Sequence, residues 1–123
     1  MNREILKKRT KQLAHRCVKA ATSLPDTKLG NHISMQLIRC STSVAANYRA
    51  VCVAHSTQSF SAKLSIVIEE VDECDFWLEF ALDEDLFKAK QVDELRKEAQ
   101  ELCNIFMAAR KTIQTKAKKQ KVQ

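Results

Sequence analysis

Apolar residues recur at steps of three and four through most of this chain. Ile33, Leu37, Cys40, Val44, Tyr48 and Val51 form one such series, and Phe60, Leu64, Val67, Val71, Cys74, Leu78 and Ala81 form a second. A third is the heptad-like run Val92, Leu95, Ala99, Leu102, Phe106, Ala109 and Ile113. At about 100° per residue these spacings place each series on one stripe of a helix. An earlier segment offers Ile5, Leu6, Leu13, Cys17, Ala20, Ala21 and Leu24 as its inward side. The rhythm predicts helices over about residues 3–23, 31–54, 57–82 and 91–116.

The breaks support these limits. Pro25 pushes Leu24 out of the helical region, so the first helix must stop there, and the second is expected to start near Gly30 to His32. The hydroxyl-rich run Ser56-Thr-Gln-Ser59 can cap the third helix. Asp83-Glu84-Asp85 ends its apolar rhythm, and residues 117–123 read as a frayed basic tail. Short connections between long helices favour antiparallel neighbours, hence an all-α, up-down-up-down four-helix bundle occupying residues 1–123 as one domain.

Composition agrees: 123 residues with one Gly, one Pro and 45% apolar residues suit long helices around a single core. The chain shows neither a signal-peptide pattern nor a run near the roughly 20 apolar residues of a membrane span, so a cytoplasmic protein with reduced cysteines is expected. Cys17, Cys40, Cys52, Cys74 and Cys103 contain no Cys-x-x-Cys, and four of them fall on or beside apolar seams, as core fillers do.

Charge changes the picture more. Residues 1–63 carry eleven Lys or Arg against Glu4 and Asp26, whereas residues 69–101 carry thirteen acids against Lys88, Lys90, Arg96 and Lys97. Residues 102–123 add six cations and no acid. On the first helix Lys8, Lys11, His15 and Lys19 share a stripe that Lys7, Arg9 and Arg16 widen. Two readings fit: a solvated face paired with an acidic helix, taken to be the third, or a face for phosphates, which ask only for clustered cations. On the second reading Lys8, Lys11, Arg16 and Lys19, with Lys116, Lys118, Lys119 and Lys121 of the tail, would contact nucleic acid and the protein would be an accessory scaffold; on the first it would be a structural or protein-interaction oligomer that binds none.

Catalysis is not expected. A di-iron bundle needs inward Glu-x-x-His pairs, and the third and fourth helices have no histidine. His15, His32 and His55 show no metal-ligand spacing, and one glycine cannot build a phosphate loop, so no metal, cofactor or catalytic residue is assigned. Arg39, Ser43 and Asn47 on the second helix and Glu70 and Glu73 on the third instead suggest a polar network fixing helix register. If buried, breaking an Arg39–Glu70 pair would cost roughly 3 to 5 kcal/mol. Phe76 and Phe80, off the main seam, and the small Ala46 and Ala50 suggest a surface for self-association.

The stretches Gln36-Leu-x-Arg39-x-x-x-Ser43-Val-x-Ala-Asn47-Tyr-Arg-Ala-x-Cys52, Ser56-x-x-x-Phe60-x-x-Lys63-Leu and Glu69-Glu-x-Asp-Glu73-x-x-x-Trp77-Leu-Glu resemble the small bacterial four-helix-bundle proteins encoded in intervening sequences of 23S rRNA genes. More distantly the chain is similar to the accessory variability determinant of diversity-generating retroelements, a basic homopentamer that associates with a reverse transcriptase and nucleic acid. The resemblance implies a homo-oligomer, a pentamer in particular, with RNA or DNA and a reverse transcriptase as expected partners. Relatives often carry basic residues between helices two and three, where this chain has His55 alone.

Overall fold

Helix starts in this chain are written in its short polar side chains. In a computed structural model, which describes residues 2–122 and the side chains of residues 2–120, four helices account for nearly all of the chain. They are α1 (Arg3–Thr22), α2 (Lys28–Cys52), α3 (Thr57–Asp83) and α4 (Ala89–Val122), and no strand occurs among the described residues. The side-chain oxygens of Asn2, Thr27 and Ser56 accept the N–H of Ile5, Gly30 and Ser59, satisfying donors that have no partner within their helices. At α4 the Gln91 carboxamide reaches back to accept the Lys88 N–H at 2.7 Å. The α3–α4 turn closes with Asp85 in the left-handed region, φ 60°, and Leu86 N–H donating to Ala81 C=O.

Register follows from contacts between helices. Between α2 and α3, His32 meets Trp77 while Arg39 meets Glu70 and Glu73. Between α3 and α4, Asp75 meets Gln100, Ser65 meets Arg110 and Ser61 meets Gln114. Along each pair the partner's residue number falls as the first helix's rises, and Arg3 at the start of α1 reaches Cys52 at the end of α2, so consecutive helices are antiparallel. α1 packs on α2 and, more narrowly, on α4. The bundle is therefore up-down-up-down, with the start of α1, the end of α2, the start of α3 and the end of α4 at one end.

The α2 and α3 stripes fill the core as their spacing predicts. Leu37, Val44, Leu64, Val67, Val71 and Leu78 are fully buried, and Tyr48 and Phe106 stack at a centroid distance of 5.2 Å. Cys17, Cys40 and Cys74 are buried as core fillers, whereas Cys52 and Cys103 are half-buried.

Three expectations need correction. First, α2 starts at Lys28, because Thr27 supplies the cap and Gly30 lies inside the first turn rather than before it. A Cβ at Gly30 would lie 2.1 Å from the Pro25 carbonyl oxygen, so glycine serves a close approach there, not a break. Second, Ile5 is 55% exposed. The buried stripe of α1 runs Leu6, Thr10, Leu13, Cys17 and Ala21, one position away, and Thr10 enters it because its hydroxyl bonds the Leu6 carbonyl at 2.8 Å. Third, residues 117–122 are not a frayed tail but the last turns of α4. Lys, Ala and Gln are strong helix formers, Lys near a C-terminus suits the helix dipole, and Ala117 is half-buried beside α3.

Candidate nucleic-acid interface

The sequence separates charge along the chain, and the bundle turns that into a separation in space. The end where α1 and α3 start and α2 and α4 finish carries Arg3, Lys7, Lys8, Lys11, Arg49 and Lys63, then Arg110, Lys111, Lys116, Lys118 and Lys119 on α4. Glu4 is the acid that faces them, and it pairs with Lys7 of its own helix at 3.4 Å. The acids of α3 and α4 occupy the middle and the far half, where Arg96 donates to both Asp75 and Glu79 at 2.8 Å.

Between α1 and α2 this end opens into a groove of about 750 Å³. Glu4, Ile5, Lys7, Lys8 and Lys11 line it from α1, and Thr42, Ala45, Ala46 and Arg49 from α2. Lys8, Lys11 and Arg49 are exposed and have no ion-pair partner among the described residues. Thr42 spends its hydroxyl hydrogen within α2, its oxygen lying 2.7 Å from the Ile38 carbonyl.

The other candidate cations are dispersed. Arg16 and Lys19 lie farther along α1, beside a smaller cleft of about 370 Å³ that Phe87, Gln91 and Leu95 share. Lys116, Lys118 and Lys119 are exposed on the last turns of α4, and the Lys121 side chain lies outside the described residues. Arg9 is the α1 cation that pairs with another helix. Its guanidinium donates to both Glu98 oxygens at 3.0 and 2.6 Å, which raises its pKa, with Glu101 at 3.4 Å. The acidic partner of α1 is therefore α4 and not α3, the diagonal helix, and it uses one cation of the face.

The expected polar network divides in two. Arg39 donates to Glu70 at 3.3 Å and to Glu73, and Glu73 also accepts the Trp77 indole N–H at 3.1 Å. The bond to Glu73 raises the Arg39 pKa. Ser43 and Asn47 bond each other within α2 at 2.9 Å instead. Arg39 is 49% exposed, so the cluster is a surface clasp worth no more than about 1 kcal/mol rather than a buried pair.

Two features were invisible to spacing. Arg49 joins the α1 lysines only because antiparallel packing sets the end of α2 beside the start of α1. Arg3 likewise reaches the α2–α3 turn, donating to the Cys52 carbonyl at 3.2 Å and lining a small cleft with His55. The turn thereby gains from α1 a cation it lacks in its own sequence.

On α3 Phe76 is 49% exposed and packs edge-on to Trp77 at 4.9 Å and beside Phe80 at 5.9 Å. Glu69, Asp72, Glu79 and Asp83 are exposed on the same helix. Among the described residues no cluster of His, Cys, Asp and Glu is placed to hold a metal ion, and no helix is long and apolar enough to cross a membrane.

Fold and surface together define an all-α bundle with one basic end and an acidic flank bearing exposed aromatic rings. The chain belongs to the 23S rRNA-intervening sequence protein family, whose model matches residues 3–108. Among solved structures it is similar to a protein of unknown function from the S23 ribosomal protein family of Bacteroides thetaiotaomicron. The two share 25% identity with a TM-score of 0.82, over 90% of this chain and 99% of that one. A search of curated proteins finds no match. The family match takes in Lys8, Lys11 and Arg49 and stops before the lysine-rich end of α4.

Proposed function

We propose that this protein is a non-enzymatic, self-associating scaffold that binds RNA or DNA through its basic end. The observation carrying this reading is the gathering of unpaired cations, Lys8, Lys11 and Arg49 foremost, at one end of a rigid bundle. Fixed cations on helices attract a phosphate backbone without reading its sequence. Family membership and the resemblance to a basic retroelement accessory protein support the same reading. A reverse transcriptase is a partner the resemblance suggests.

Binding should weaken steeply with salt, each phosphate contact adding about 0.7 to 0.9 to the log-log slope. Lys8→Glu with Lys11→Glu should lower that slope by about 1.4 to 1.8 while leaving the helical circular dichroism signal intact. No retention of either nucleic acid at low salt, or a slope the double variant leaves unchanged, refutes the proposal.

Self-association draws on the exposed Phe76 ring and its neighbours, an apolar patch rimmed by acids. Sedimentation at micromolar concentration should show an oligomer, which the resemblance makes a pentamer, and Phe76→Glu should shift it toward monomer. A wild-type monomer at that concentration removes this part of the proposal.

A further inference from the structure

Proteins that hold single-stranded nucleic acid without sequence preference interleave cations with exposed aromatic rings, because unpaired bases need faces to stack on. This chain keeps the two apart. The groove that holds Lys8, Lys11 and Arg49 is otherwise lined by Ile5, Ala45 and Ala46, by Thr42 and by Glu4, whose charge Lys7 offsets, and it has no aromatic residue in its lining. Near the same end Tyr48 and Phe106 are fully buried, and Phe60 is half-buried with the Arg3 guanidinium 5.8 Å from its ring centroid. The exposed aromatic cluster around Phe76 lies on the acidic half of α3, where phosphates are repelled.

What the groove does offer suits a duplex. Two helices hold its cations at fixed spacing, Lys8 and Lys11 being about 4.5 Å apart along the axis of α1. A base-paired stem presents a rigid row of phosphates, about one charge per 1.7 Å of helix axis in B-form DNA, with its bases already stacked. The small Ala45 and Ala46 side chains leave room for a sugar–phosphate backbone between the lysines of α1 and Arg49 of α2. Resting on the nucleic-acid reading above, we infer that the α1–α2 groove seats one strand's backbone of a base-paired segment, RNA or DNA, in preference to a single strand.

Fluorescence anisotropy at low salt with a duplex RNA, a duplex DNA and an unstructured homopolymer strand of equal length tests this. At least one duplex should bind tenfold or more tighter than the strand. Lys8→Glu with Arg49→Glu should weaken duplex binding tenfold or more, and Lys118→Glu with Lys119→Glu less than threefold. Ala46→Leu, which narrows the groove at unchanged charge, should weaken duplex binding several-fold while circular dichroism and sedimentation stay as in the parent. Equal or tighter binding of the single strand overturns the inference, as does greater sensitivity to the α4 lysines than to the groove. So does an Ala46→Leu variant that dissociates into monomers, since the groove would then hold a second copy. Failure of every nucleic acid to bind sinks the function proposed above as well, whereas these other results leave it standing.

Discussion

Phe106→Ala is expected to cost about 3 to 5 kcal/mol of folding stability, the range for emptying a fully enclosed aromatic site. Phe106 has no exposed surface and stacks on Tyr48, so its removal opens a cavity between α2 and α4 that rigid helices cannot close. For a domain of this size the midpoint of thermal unfolding should fall by roughly 10 to 20 °C. The partner ring predicts the opposite sign. The Tyr48 hydroxyl is buried with only the weakly hydrogen-bonding Cys52 thiol beside it, too poorly placed to make a proper bond, and a buried hydroxyl so left costs about 1 to 3 kcal/mol. Tyr48→Phe keeps the stack and discards the orphan oxygen, so it should gain about 1 kcal/mol in urea unfolding. A loss of that size would mean that the hydroxyl has a partner, such as a bound water, and would remove this explanation.

Legibility follows locality. The α2 and α3 seams could be read residue by residue, since Leu37, Val44, Val71 and Leu78 are buried by the same three-to-four spacing that marks them. α1 was harder. Its buried stripe includes Thr10, whose hydroxyl is satisfied within its own helix, so polarity hid a core position and Ile5 seemed to belong in its place. Gly30 misled for a related reason: a glycine reads as a stop signal, yet here the chain needs a missing side chain beside the Pro25 carbonyl, inside a helix that Thr27 has already started.

The candidate site was legible in part, and the missing part was nonlocal. Clustered charge on α1 pointed to Lys8 and Lys11. Nothing near Arg49 in sequence marks it, because it becomes their neighbour only through the antiparallel register of α1 and α2. The same packing spread the other candidates over separate surfaces and gave Arg9 to Glu98. It also divided the polar network, since Ser43 and Asn47 sit at i and i+4 and satisfy each other before either can reach α3.

Alkali should destabilise this protein progressively above about pH 9, and Cys74 is the main reason. Its thiol is fully buried 3.4 Å from the Cys40 sulfur. Hydrogen bonding with the Cys17 and Cys40 thiols, and then burial, push its pKa far above the ordinary value of 9.0. Burial, with a smaller contribution from Cys52, raises Tyr48 above its ordinary 10.0. For both groups the folded state keeps the proton at a pH where the unfolded chain has lost it. The unfolded state then binds fewer protons, so stability falls with rising pH. The decline should begin near pH 9, where an unfolded cysteine ionises, at about 1.4 kcal/mol per pH unit, and steepen by a similar amount above pH 10 as tyrosine joins. Urea unfolding with a reductant present, repeated from pH 7 to 11, measures the slope. Cys74→Ala should start less stable because it leaves a cavity, yet lose about 1.4 kcal/mol less per pH unit above 9; Tyr48→Phe should remove only the added steepness above 10. A Cys74→Ala curve parallel to that of the parent would show that Cys74 is not the group whose ionisation opens the core.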